Sequence, residues 1–136
     1  IRPNINITTD LIVGFPEESD ENHLETLNNL KEIGFSKIHT FPYSVRKGTK
    51  ASTMKQVNDS IKKTRVHEVL ELSDELENSY YKKFIGKRLT VLVEDGTSGF
   101  TSNYIKVKLN KKCENNTFVD CLIVSVDGIS VNGEVL

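Results

Sequence analysis

The chain has 136 residues, which is room for one domain or two very small ones. Lys and Arg number 18 and Asp and Glu 19, a net charge of −1 that excludes a polyanion binder driven by bulk charge but not a local basic patch. Three Pro and eight Gly exclude a Pro/Gly-rich disordered chain, and apolar runs of about four residues are too short to span a membrane.

Two cysteines, Cys113 and Cys121, do not make a disulfide framework, so a reducing, cytoplasmic location is expected. There is no initiator Met, and the opening Ile1-Arg2-Pro3-Asn4 leads us to expect a piece of something longer.

The β-branched, continuous apolar stretch Leu11–Val13 within residues 5–15 predicts a strand buried on both faces, as in a parallel sheet. Gly14-Phe15-Pro16 ends it. Ser19 is an N-cap candidate with Asn22 as its capping-box partner, and Asp20 and Glu21 suit the positive end of a helix dipole. Leu24, Leu27, Leu30 and Ile33 then form one apolar stripe, stopped by Gly34. A second strand, Lys37–Phe41, completes strand–helix–strand at the spacing of a parallel crossover. Two parallel strands and one helix do not make a domain. Residues 1–85 are therefore expected to be the last part of a larger α/β barrel or sheet, whose unpaired edges invite self-association.

Residues 43–58 read as a loop, followed by a long helix over 59–84. Its charge is polarised: Arg46–Arg65 holds seven bases and one acid, Val66–Ser79 five acids and no base. From residue 86 the period becomes two, with strands expected over 87–94, 104–109, 118–126 and 129–136. Such spacing predicts a small antiparallel, OB-like β-barrel.

Three stretches can carry chemistry. Gly14 follows a parallel strand, where α/β ligands bind, or it simply ends the strand. The loop Tyr43-Ser44-Val45-Arg46-Lys47-Gly48-Thr49 follows the next strand and so shares that rim. Arg46 can pair with a carboxylate or phosphate, and Ser44 and Thr49 are hydrogen-bonding candidates. The basic run, including Lys47, Lys62 and Lys63, is either an RNA-facing stripe or a solvated helix start. In the barrel, Phe100, Tyr104 and Phe118 lie among Lys106, Lys108, Lys111 and Lys112, a combination that suits single-stranded or looped RNA. In so small a barrel each aromatic is read first as core. His23, His39 and His67 lack metal-ligand spacing, and two cysteines cannot build a [4Fe–4S] cluster. There is no Walker A motif and no G-x-S-x-G elbow.

Three phrases in order, Thr8-Thr-Asp-Leu-Ile-Val-Gly-Phe-Pro-Glu-Glu18, Phe41-Pro-Tyr-Ser-Val-Arg-Lys-Gly-Thr49 and Gly99-Phe-Thr-Ser-Asn-Tyr-Ile-Lys-Val-Lys108, resemble the C-terminal part of the radical SAM tRNA methylthiotransferases. The third phrase looks like their terminal RNA-binding module, the TRAM domain. His39-Thr-Phe-Pro-Tyr-Ser44 looks most like the branch acting on N6-threonylcarbamoyladenosine.

The resemblance implies a fold class: an α+β fragment with the last βα units of a radical SAM barrel, a long helix, and a TRAM barrel over 86–136. It implies a parent enzyme that methylthiolates carbon 2 of the modified adenosine next to the anticodon, using S-adenosylmethionine and two [4Fe–4S] clusters. The cluster-holding parts are not matched, so the fragment alone is expected to be inactive and to hold no cofactor or metal. Asp10, Ile12 and Gly14 match the strand beside the adenosine part of S-adenosylmethionine, and Ser44, Arg46 and Thr49 the loop on the cofactor and substrate side. No catalytic residue is assigned. Lys47, Lys62, Lys63, Tyr104, Lys106 and Lys108 are the RNA-binding candidates. The family commonly has Gly where this chain has Glu17, and Pro near Val45, Lys47 and Lys50, whose absence leaves this loop less rigid. The alternatives are a free-standing RNA-binding module, or a methylthiotransferase acting on isopentenyladenosine in tRNA or on a ribosomal protein.

Overall fold

A computed structural model describes residues 2–136. In chain order it contains β1 (Thr8–Val13), α1 (Asp20–Ile33), β2 (Lys37–Pro42), a single 3₁₀ turn (Lys50–Thr53), α2 (Asp59–Lys82) and five strands, β3 (Arg88–Val93), β4 (Ser98–Thr101), β5 (Lys106–Leu109), β6 (Phe118–Asp127) and β7 (Ser130–Val135). The chain forms two compact units. One is Ile7–Leu76; the other joins the described residues up to Asn6 to Glu77–Leu136.

In the first unit β1 and β2 pair in parallel, with Asp10 opposite His39 and Val13 opposite Pro42. Helix α1 starts where the sequence indicates: Ser19 accepts from the Asn22 amide and Asn22 returns the bond, and Gly34 closes the helix at φ 76°. Val13, Leu30, Ile38, Val69 and Leu72 form the core. The sheet is covered on one face only, which corrects the expectation of a strand buried on both. Val13 and Ile38 turn inward, while Ile12 and Phe41 are 56% and 52% exposed. The α1 stripe is likewise rotated from its expected position. His23 and Leu30 are buried, whereas Leu24 and Ile33 point outward. The covering partner is α2, whose Val66, Val69, Leu72 and Leu76 pack against this core.

In the second unit the strands close in the order β3-β4-β5-β7-β6. The sequence did not reveal β4, because Ser98–Thr101 lacks an apolar alternation. Nor is the barrel wholly antiparallel: β5 and β7 run parallel. Five strands cannot alternate direction all the way round a closed ring, so one neighbouring pair must be parallel, and here it is β5 with β7. Glycine permits two close approaches. A Cβ on Gly99 would collide with the Leu92 carbonyl, and one on Gly133 would lie 2.7 Å from Val107 Cγ1.

The barrel core corrects the sequence reading. Val91, Ile105, Val107, Cys121, Ile123 and Val131 are joined by Tyr80, Tyr81 and Phe84 from the end of α2 and the turn after it. Tyr80 meets Phe84 edge-on, with ring centroids 5.2 Å apart. Because these three rings fill the interior, Tyr104 and Phe118 are left on the surface, each 74% exposed, and Phe100 is half-buried.

Candidate functional site

Two surfaces carry the sequence-derived candidates, one in each unit.

The first is the rim at the carboxyl ends of β1 and β2. The register brings both strands to an end at the same level, and the Tyr43 amide donates to the Val13 carbonyl at 2.8 Å. Alternation places Asp10 and Ile12 on the uncovered face. His39 and Phe41, which the sequence reading did not select, are exposed on the same face, opposite Asp10 and Ile12. The period-two pattern of β2 was the signal that would have found them.

Gly14 leaves β1 at φ 75°, and a Cβ there would lie 2.5 Å from Lys62 Cγ. Its N–H donates to Glu18 Oε1 at 3.2 Å. Glu18 also accepts from Arg65 through Oε1 and through its carbonyl, at 2.8 and 2.9 Å, while the other guanidinium arm reaches Asp20 at 2.8 Å. Burial alone would lower the Arg65 pKa, but the hydrogen bonds to Asp20 and Glu18 more than offset it and hold it above its ordinary value. Arg65 is thus a buried clasp on the β1–α1 turn and is withdrawn from the basic stripe. Glu17, the departure from the family's Gly, adopts φ 67°, the left-handed backbone that favours Gly. Its N–H donates to the Lys55 carbonyl at 3.0 Å.

Lys62 is turned inward. Its side chain is 14% exposed, and Nζ donates to the Tyr43 carbonyl at 3.1 Å. Lys63, Lys47, Ser44 and Arg46 are exposed. Thr49 caps the 3₁₀ turn, accepting from the Ser52 amide and donating to the Arg46 carbonyl at 2.8 Å. Two buried hydroxyls near this rim, of Thr40 and Tyr43, have no partner among the described residues.

The second surface is the outer face of the barrel. Lys106 and Lys108 are exposed and Val107 between them is buried, as alternation requires. Phe118 on β6, Leu92 on β3, Phe100 on β4 and Lys106 on β5 are directly opposite one another in register, so they form one row across four strands. Tyr104 stacks on Phe100 with centroids 4.8 Å apart and an interplanar angle of 27°. Lys106 Nζ is 6.0 Å from the Phe100 centroid. In the neighbouring row Asp120 accepts from Thr90 and Arg88, bonds that hold its carboxyl below the usual range.

Among the described residues no group of three His, Cys, Asp or Glu side chains is placed to hold a metal ion. Cys121 is buried in the barrel, where burial raises its thiol pKa, and Cys113 lies partly exposed in the β5–β6 segment. This donor set does not fit an iron–sulfur cluster. No described helix is long and apolar enough to cross a membrane.

Comparison with known proteins decides the family. The chain is 40% identical over 115 residues to the threonylcarbamoyladenosine tRNA methylthiotransferase of Bacillus subtilis, covering 77% of this chain and 26% of that protein. The chain belongs to the tRNA methylthiotransferase family. It is 45% identical over 105 residues to a probable threonylcarbamoyladenosine tRNA methylthiotransferase of Methanocaldococcus jannaschii, with 77% and 25% covered. It is 36% identical over 142 residues to the tRNA-2-methylthio-N(6)-dimethylallyladenosine synthase of Aliarcobacter butzleri, with 98% and 33% covered. The chain thus spans a quarter to a third of the length of these relatives. No family model matches it.

Proposed function

We propose that this chain is the C-terminal part of a radical SAM methylthiotransferase that modifies N6-threonylcarbamoyladenosine next to the anticodon of tRNA in the cytoplasm. The observation that carries the reading is the similarity, over 77% of the chain, to relatives named for that reaction. In this reading residues 1–85 belong to the catalytic barrel and residues 86–136 bind tRNA as a TRAM domain.

The uncovered face of β1 and β2 fits S-adenosylmethionine. Ile12 and Phe41 present flat apolar surface suited to an adenine, Asp10 is a carboxylate for hydroxyls or an ammonium, and Gly14 keeps its backbone clear of a side chain. Arg46 and Ser44, on the adjoining loop, complete the polar set, with Arg46 suited to the ligand's carboxylate. When bound, S-adenosylmethionine supplies the methyl group and the radical chemistry of the family. The residues of this chain orient it, and Arg65 and Lys62 hold the two loops that carry those residues. The clusters require thiolates from elsewhere in the parent protein, so the chain alone is inactive.

Mass spectrometry of tRNA nucleosides from a strain lacking the gene tests the reading. The 2-methylthio form of N6-threonylcarbamoyladenosine should disappear. Loss of the methylthiolated isopentenyladenosine instead would assign the other tRNA branch, and loss of neither would overturn a tRNA substrate.

A further inference from the structure

We propose that the row Phe118–Leu92–Phe100, with Tyr104 stacked on its end, is a platform for two unpaired, splayed nucleobases of an extended RNA segment. This rests on the reading that the barrel binds RNA, and it goes further by naming which part of an RNA it takes.

Three observations point to it. First, Tyr104 and Phe118 are exposed although the barrel has an aromatic core of its own, so filling that core does not account for them. Tyr104 and Phe118 are each 74% exposed and Leu92 39%. Second, Tyr104 holds φ 63°, a left-handed backbone unusual for a bulky side chain. The turn fixes it there: the Tyr104 amide donates to the Thr101 carbonyl, and Thr101 in turn donates to the Ile105 carbonyl, both at 3.0 Å. The consequence is a ring laid on Phe100, displayed outward on rigid backbone. An aromatic face held at some conformational cost is the kind of outlier that marks a binding surface. Third, the row continues into Lys106, and Lys108 follows on the same face of β5, so cations stand at the end of an aromatic strip. This charge pattern complements a phosphate backbone whose bases stack on the rings.

Spacing selects the RNA conformation. Phe118 and Phe100 are two strands apart, roughly 10 Å at the usual interstrand distance. That is about three times the ~3.4 Å rise between neighbouring bases in a helical strand. A duplex cannot place consecutive bases on Phe118 and on the Tyr104–Phe100 stack, whereas an extended single strand, such as an opened loop, can. Leu92 fills the gap between the two stacking positions.

The test uses the full chain and three probes: a tRNA, a short single-stranded RNA carrying a fluorescent purine analogue, and the same RNA annealed into a duplex. Stacking should quench the analogue in the single strand and not in the duplex. Phe118→Ala and Tyr104→Ala, both at exposed positions, should each weaken single-strand binding roughly 5- to 150-fold, the range expected for loss of one base stack. Tyr104→Phe should restore it. The dependence on salt should stay unchanged in these variants, because no counterion-releasing cation is removed. Circular dichroism confirms that each variant folds, and Phe118→Leu serves as a second probe of the same site. Equal binding of duplex and single strand, or undiminished single-strand binding by Phe118→Ala and Tyr104→Ala, would overturn the platform even if tRNA is bound. The face would then be a protein contact. Absence of tRNA binding by the parent chain would overturn the RNA-binding reading as well.

Discussion

Replacing Arg65 with Met should destabilise the first unit by about 2–3 kcal/mol and loosen the turn between β1 and α1. Arg65 is 6% exposed and its partner Glu18 14%, so the pair is largely desolvated. Removing one member of a buried pair costs roughly 3–5 kcal/mol, mostly because the other charge is left uncompensated. Glu18 would keep the Gly14 N–H at 3.2 Å and its small contact with water, which reduces the cost to about 2–3 kcal/mol. The second arm adds little: Asp20 is 97% exposed, and such a pair contributes at most about 1 kcal/mol. Adding Glu18→Gln should recover at least about half of the loss, since a neutral amide is less costly to bury and its oxygen still accepts from Gly14. Two compact units need not unfold in a single transition. Hydrogen exchange read by mass spectrometry, resolved to β1 and β2, with urea denaturation in parallel, is therefore the appropriate assay. The reasoning fails if Arg65→Met stays within about 0.5 kcal/mol of the parent, the range of an ordinary surface substitution. It fails equally if the double variant is no more stable than the single one.

Phe84→Ala should cost the barrel unit about 3–5 kcal/mol, because a ring 1% exposed is removed from a core it shares with Tyr80; urea denaturation followed by exchange in β3 and β6 checks this. Glu17→Gly should stabilise the first unit by about 0.5–1 kcal/mol, relief of left-handed strain outweighing the added freedom of the unfolded chain, as measured by the same denaturation. Burial first, and then donation to Glu77 at 2.6 Å, raises the Tyr81 pKa well above its ordinary value. Its contribution to stability is thus complete below about pH 10 and lost as pH rises further, and Tyr81→Phe should flatten the alkaline limb of a stability–pH curve. Asp120, held below the usual range by Thr90 and then Arg88, contributes stability above about pH 4 that is lost as pH falls, so Asp120→Asn should flatten the acid limb.

Local signals in the sequence determined the elements whose causes are themselves local. Ser19 and Asn22 set the start of α1, Gly34 its end, and the alternation at Lys106, Val107 and Lys108 set the face of β5, because capping and pleat depend on a few neighbouring residues. The order of three phrases was enough to indicate the family. Tertiary structure decided what sequence spacing cannot encode. It assigned the barrel's aromatic core to Tyr80, Tyr81 and Phe84 and left Tyr104 and Phe118 outside, since which rings fill a core depends on what else reaches it. It turned Arg65 and Lys62 from members of a basic run into buried ties on the two strand-end loops, because their partners Glu18 and Tyr43 lie 47 and 19 residues away. It aligned Phe118, Leu92, Phe100 and Lys106 in one row, for cross-strand neighbours are fixed by register and closure of the ring, and neither is written in any single strand.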